Sequence, residues 1–339
     1  MQNKLFNGLI AYYGGKQKLA KEIIRLAKKY SDSDTFVDCF CGGLSVSLVA
    51  KFYNYNVLSN DRAFYSYQLA KAIIENQNYT LSEYDVYKIL LYDDKKINYA
   101  IFNGLRETLR KHFILQQHID FILKASYINN YLNEFKNEFK KALINALIIK
   151  YTISLAPYSM FRSNVEQIKN TTKYSTLRII SKQLITSIEE ALKNVQKINN
   201  SIFATNKITK AYNMDVFDFL EEVKPKNCVV YLDPPYYGEH SYEEIYNLLN
   251  RILLVKTLET SVFNEQDYEK FFSKLLDKVK DNLVIISYAG KAIEKIVDIT
   301  KKFFKNVFVH AYDYDYCLSA YKGNKIQKTK EYLIICNES

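Results

Sequence analysis

Residues 231–238 read YLDPPYYG, and they hold two of the four prolines in the chain. They follow the apolar run NCVVYL, which reads as a buried strand. Proline has no N–H for a sheet ladder, so the strand must end there. The turn that results is stiff and extended, with a carboxylate at Asp233 and an aromatic ring at Tyr236. Two adjacent prolines, Pro234 and Pro235, also remove backbone donors that would compete for that carboxylate. Taken alone, the stretch could be a turn built from ordinary turn formers. It does not stand alone. Three further polar features fall at the carboxyl ends of predicted strands, where open α/β sheets bind their ligands. These are the turn DCFCGG with Asp38, Phe40, Gly42 and Gly43, then Asp61, and then Asp215 in NMDVFDFL. Gly42 and Gly43 allow a tight turn and close approach of a ligand. Asp61, about twenty residues beyond the Asp38 turn, is placed to take a ribose diol. The alternative for Asp61 and Asp215 is a helix cap.

Other ligand chemistries fit less well. YYGGKQKL (residues 12–19) lacks the spacing and the Ser/Thr of a phosphate-binding P-loop, and CFCGGLSV is not a dinucleotide fingerprint. A nucleoside without a pyrophosphate suits the pattern better. The five cysteines, Cys39, Cys41, Cys228, Cys317 and Cys336, are irregularly spaced and are expected to be buried free thiols. No His/Cys/Asp cluster has metal-ligand spacing, so no metal is expected. Cysteine-nucleophile chemistry of the cytosine-C5 type is set aside, because no proline precedes a cysteine.

The elements that must position these residues alternate. LAKEIIRLAKKY puts Leu19, Ile23, Leu26, Ala27 and Tyr30 on one helical face. TFVDCF is a strand, a helix follows the glycines, and NVLSND is a second strand leading to a helix. ITKAY, CVVYL and NLVIIS continue the pattern after residue 206, and NVFVHAY with EYLIIC forms a closing hairpin. The expected fold is therefore α/β, with a mostly parallel Rossmann-like sheet, a C-terminal hairpin and a helical insertion. Residues 1–61 and 206–339 are expected to form the sheet domain, and residues 62–205, rich in helical patterns, the insertion. The chain carries 47 basic against 37 acidic residues, a net charge of +10, which favours a polyanionic partner such as nucleic acid. An AT-rich genome would give a similar Lys, Asn, Ile and Tyr bias. No apolar stretch is long enough to span a membrane, and the N-terminus shows no signal peptide, so a cytoplasmic location is expected.

In sequence order, AYYGGKQKL, FVDCFCGG, LSND, NMDVFDFL and YLDPPYYG resemble the motifs of the Dam-like DNA adenine methyltransferases. The resemblance covers residues 5–61 and 208–336. It implies an enzyme that moves a methyl group from S-adenosylmethionine (AdoMet) to the N6 amine of adenine in double-stranded DNA, with the base flipped out. It implies catalysis by Asp233, Pro234, Pro235 and Tyr236. AdoMet would be held by Tyr12, Lys16, Asp38, Phe40, Gly42, Asp61, Asp215 and Val216, with Lys16 on its carboxylate. A restriction endonuclease is a possible partner. The chain departs from the family at Tyr12, Leu44 and Val216, where tryptophan, glycine and phenylalanine are common. Residues 239–262 look inserted after the catalytic motif. Within the helical segment, Arg106, Arg110, Arg162 and Asn164 are candidate DNA contacts, against the alternative of a solvated face. N4-cytosine methylation, RNA adenine methylation and a catalytically silent AdoMet- and DNA-binding module are the competing readings.

Overall fold

The computed structural model describes residues 5–156, 161, 181–236, 242–264, 267–290, 292–316 and 327–338. It divides into two compact units. One gathers residues 1–15, 63–204 and 243–258; the other gathers residues 16–62, 205–242 and 259–339.

The second unit contains a seven-stranded sheet in the order β3-β2-β1-β4-β5-β7-β6. The strands are β1 (Thr35–Asp38), β2 (Asn56–Asn60), β3 (Thr209–Tyr212), β4 (Val229–Leu232), β5 (Leu283–Ala289), β6 (Asn306–Tyr316) and β7 (Gln327–Asn337). Strands β1 to β5 run parallel, and β7 is antiparallel to both β5 and β6. All four residues of β4 and all seven of β5 are buried, as expected of central strands covered on both faces. The chain order reverses at β1, which has β2 on one side and β4 on the other. That reversal opens a crevice at the carboxyl ends of β1 and β4.

The helices of this unit follow the pattern of their apolar residues. Helix Ala20–Tyr30 buries Ile23, Ile24, Leu26 and Ala27, and it ends with Lys28 and Lys29, which complement the negative end of its dipole. Helices Val216–Val223 and Tyr268–Val279 bury Phe219, Leu220, Phe272, Leu275 and Leu276 in one cluster with Val230, Leu232, Val284 and Ile286. Each such side chain contributes roughly 1.5–3 kcal/mol by leaving water. Helix Ser45–Phe52 starts from Leu44, which is fully buried with φ at +68°. A glycine would adopt that backbone without strain, so the burial of the leucine side chain is what holds it there.

The first unit is helical, with no strand among its described residues. Its longest helix, Glu138–Leu155, is capped by Asn137, which accepts from the N–H groups of Phe139 and Lys140. From Ala142 to Leu155 nearly every residue is buried, so this helix is a core element with no solvent face. Helix Ser187–Asn199 starts in a reciprocal capping box between Thr186 and Glu189. Residues 239–262, expected as an insertion, supply helix Tyr242–Ile252, and residues 243–258 group with this unit. Among the described residues no helix is long and apolar enough to cross a membrane. Cys39, Cys41, Cys228 and Cys336 are buried free thiols, and burial pushes the thiols of Cys39 and Cys41 well up. Cys317 lies outside the described residues.

Candidate active site

The parallel strands deliver their polar ends to one edge. Asp38 closes β1, Asp61 follows β2, Asp215 follows β3 and Asp233 follows β4. One more carboxylate arrives from the opposite direction. Because β7 runs antiparallel, Glu331 pairs with Ala289 at the end of β5 and so reaches the same edge.

Asp233 and Glu331 form a closed ring of polar contacts with Lys16 and Tyr236. The Lys16 ammonium lies 3.0 Å from Asp233 Oδ2 and 3.4 Å from Glu331 Oε1. The Tyr236 hydroxyl lies 3.0 Å from Asp233 Oδ1 and 2.8 Å from Glu331 Oε1. Lys16 also sits 5.3 Å from the centre of the Tyr236 ring. Side-chain exposure is 2 % for Lys16, 0 % for Glu331 and 19 % for Asp233, so Asp233 alone of the three charges keeps contact with solvent. Burial pushes the Asp233 carboxyl up to about 6; the Lys16 charge opposes that shift, and the Glu331 charge adds to it.

Tyr236 itself is 8 % exposed, with its ring centre 4.8 Å from that of Tyr288. In this arrangement it braces Asp233 through its hydroxyl and offers little open face for stacking. Pro234 is buried and Pro235 half-buried beside it, which fixes the turn that carries Asp233.

Across the crevice, Asp38 is fully buried. Ser59 Oγ donates to Ser47 Oγ at 2.8 Å, and Ser47 Oγ donates to Asp38 Oδ2 at 2.6 Å. Asp38 Oδ1 has no hydrogen-bond partner among the described residues. Burial pushes this carboxyl up to about 7; the Ser47 hydrogen bond lowers it, and the nearby Asp233 charge raises it further. Gly42, at φ +45°, donates its N–H to Asp61 Oδ2 at 2.8 Å. Asp61 therefore holds the glycine turn, and the cap of the following helix falls on Ala63. Asn60, the other half of the Asn-Asp pair, stitches the crevice shut below. Its amide donates to the carbonyls of Cys39 and Met214 and accepts from the Met214 N–H. Asp215 is exposed and caps helix Val216–Val223, accepting from the Phe217 N–H at 2.9 Å. Val216 is buried in the core, and Phe40 packs edge-on to Phe263.

Tyr12 belongs to the helical unit, where it stacks on Tyr246 with ring centres 5.0 Å apart and planes 8° from parallel. Arg106 is held by Asp120 at 2.7 Å, and its guanidinium lies 4.4 Å from the Tyr99 ring centre. Arg110 stays 54 % exposed, 3.7 Å from Glu107. Arg162 and Asn164 lie outside the described residues. Among the described residues no group of three His, Cys, Asp or Glu side chains could hold a metal ion.

Glu331 escaped sequence reasoning, which looked only at the ends of strands. It stands near the start of EYLIIC, and the predicted closing hairpin was the usable signal. A last strand that runs antiparallel brings its beginning to the edge where the parallel strands finish. The partners of Lys16 also escaped, since nothing in its spacing says that a lysine before a helix is buried between two carboxylates.

Comparison with known proteins gives the family. Residues 12–305 match the family described as D12 class N6 adenine-specific DNA methyltransferase. The chain is similar to the type II methyltransferase M2.HphI of Haemophilus parahaemolyticus, with 30% identity over 287 residues covering 80% of each chain. It is also similar to the modification methylase StsI of Streptococcus sanguinis, with 24% identity over 366 residues. That alignment takes in 94% of this chain but 50% of the StsI methylase, so the chain spans about half of that relative's length.

Proposed function

From the premise that this chain belongs to the D12 class of N6 adenine-specific DNA methyltransferases, we propose that Asp233 is the acceptor that activates the adenine amine. The reaction is methylation of the N6 amine of adenine in DNA, and the family implies S-adenosylmethionine as the methyl source.

When bound, that cofactor supplies an electrophilic methyl carbon on a cationic sulfur. The residues at the crevice fit such a ligand. Asp38 carries an orphaned buried carboxylate oxygen, suited to an ammonium group. Asp61 and the Gly42 turn suit a ribose diol, and Phe40 and Asp215 lie on the same edge. Two carboxylates on the same side also suit the positive charge of a sulfonium.

The amine nitrogen of adenine is a weak nucleophile because its lone pair is delocalised into the ring. To form a bond to carbon it must become more tetrahedral. Asp233 accepts one N–H and stabilises the positive charge that grows on the nitrogen, and the Pro234 carbonyl accepts the other. The proton shed by the nitrogen leaves through the Asp233 carboxylate. The two prolines hold these acceptors in place beforehand, so little reorganisation is needed. A base in a duplex cannot reach such a pocket, so the target adenine is flipped out. The helical segment 62–205 reads the target, with exposed Arg110 better suited to a phosphate contact than Arg106, whose guanidinium is already engaged. The enzyme acts as the modification half of a restriction–modification pair in the cytoplasm and needs no metal.

One observation carries this reading: a carboxylate with a raised pKa and partial exposure, held at the switch point of the sheet by a buried lysine. The test is transfer of labelled methyl groups from AdoMet to unmethylated genomic DNA, followed by nucleoside analysis. N6-methyladenine is the expected product. Labelled N4-methylcytosine, or label entering RNA only, would overturn it.

A further inference from the structure

The ring of four side chains contains a hydrogen-bonding conflict. In the substrate-free arrangement both Asp233 oxygens are already engaged, Oδ2 by Lys16 and Oδ1 by Tyr236. Each of those donors also touches Glu331, at 3.4 Å and 2.8 Å. A tyrosine hydroxyl has one hydrogen, so it cannot satisfy two ionised carboxylates at once. An adenine amine that enters to donate to Asp233 must compete with donors already there. Pulling either donor away from Asp233 into a buried space would leave it unpaired, which is costly for a hydroxyl and more so for an ammonium.

We infer that Glu331 is a positioning residue for methyl transfer: it takes over the Tyr236 hydroxyl hydrogen and the Lys16 ammonium, and so releases the oxygens of Asp233 for the adenine amine. Its place supports this. Glu331 is fully buried on β7, its Oε1 faces both donors, and the antiparallel register fixes it opposite Ala289. It need not touch the substrate. It acts by giving each donor a second acceptor within reach, so that donors shift by a short rotation and no buried charge loses its counter-ion. The inference rests on the proposed role of Asp233 and adds a residue to it.

Among the described residues, titratable groups reach Asp233 from several elements. Lys16 comes from the segment before helix Ala20–Tyr30, Asp38 from β1, Tyr231 from β4, Tyr236 from the turn and Glu331 from β7. The Lys16 charge and the Tyr236 hydrogen bond favour the ionised form of Asp233, and the Glu331 charge disfavours it. Tyr231 donates to or accepts from Ser287 at 2.7 Å, and burial keeps its hydroxyl protonated.

Opposite shifts follow for two variants. Glu331→Gln removes the competing negative charge and leaves Lys16 committed to Asp233. The acid limb of the kcat–pH profile is then expected to move down by about one pH unit. The plateau kcat should fall about tenfold or more, while KM for DNA and the Kd for AdoMet stay within about threefold. Loss of any neighbouring negative charge would lower the limb, so the fall in plateau kcat with unchanged KM and Kd is the readout that marks positioning. Tyr236→Phe keeps all three charged groups and removes the hydrogen bond that favours ionised Asp233, so its limb should move up. If Glu331→Gln fails to fold, as judged by lost AdoMet binding and a collapsed Tm, Glu331→Asp decides: it keeps the charge but withdraws the carboxylate from Lys16 and Tyr236, so the plateau kcat should fall with KM and Kd unchanged. A plateau kcat within about threefold of wild type in the folded variant that decides overturns the inference. Asp233→Asn run in parallel separates the two levels. If it retains full turnover, the proposed role of Asp233 itself is wrong; if it is inactive while Glu331→Gln behaves as wild type, only the role of Glu331 is wrong.

Discussion

Among the lysines that are almost wholly removed from water, Lys16 and Lys150, one from each unit, show two different treatments of a buried charge. Lys150, in the helical unit, is 8 % exposed and donates to the carbonyl of Leu9 at 2.5 Å. Burial pushes it down to about 7; the Lys197 charge pushes the same way, and Glu190 pushes back. Lys16, in the sheet unit, is 2 % exposed and lies against two carboxylates. The first is a long side chain that satisfies a buried carbonyl at some cost in desolvation. The second is part of a charge cluster in which one carboxylate, Asp233, retains contact with solvent. Burial of a charge therefore does not by itself mark function. What marks function is burial beside opposite charges whose other face is open to a ligand.

Substitutions at the two lysines can break that comparison. Lys16→Met leaves Asp233 and Glu331 as neighbouring carboxylates with no cation. One of them then holds a proton near neutral pH, and the acid limb of activity moves upward, because Lys16 lowers the Asp233 pKa. We expect turnover at pH 7 to fall about 100-fold and stability to fall by about 3–5 kcal/mol. A pH–rate profile and a denaturant titration check both numbers. A variant with an unshifted acid limb would remove Lys16 from the account.

The effect of Lys150→Met is smaller and lies in stability. Here the folded-state pKa is depressed from 10.5 to about 7, so the native protein loses stability as pH falls from about 10 to 7, while the unfolded chain takes up the proton. Below that window the penalty is complete. Relative to the wild type, the methionine variant should gain stability between pH 10 and 7, read as a growing difference in denaturant midpoint. Its methyl transfer at pH 8 should stay within about threefold of wild type. If transfer is lost in a folded Lys150→Met protein, the contrast between the two lysines fails.

Much of this fold could be read from the chain. The parallel strands were legible because each ends in a sharp change from buried apolar residues to turn chemistry, as at Leu232 and Asp233. The carboxylates Asp38, Asp61, Asp215 and Asp233 were legible for the same reason. Side-chain partnership was not. Leu44 sits at a backbone conformation suited to glycine, and only its full burial explains why it remains there. Asn60 reads as half of a motif but works as a stitch between two loops. Tyr236 reads as the aromatic ring after the prolines, and the contacts of its hydroxyl with Asp233 and Glu331 have no local signal. Glu331 lies about a hundred residues beyond Asp233 in sequence and meets it only because the last strand returns antiparallel. Such contacts depend on register and direction, which local patterns do not encode.

The role of Asp233 is read out by single-turnover methyl transfer with Asp233→Ala. In this variant Lys16 keeps Glu331 as its counter-ion, so folding and AdoMet binding should survive. The rate of N6-methyladenine formation should fall about 10³-fold, with AdoMet and DNA dissociation constants within about threefold of wild type. A folded Asp233→Ala protein that methylates adenine within about tenfold of the wild-type rate would contradict that role.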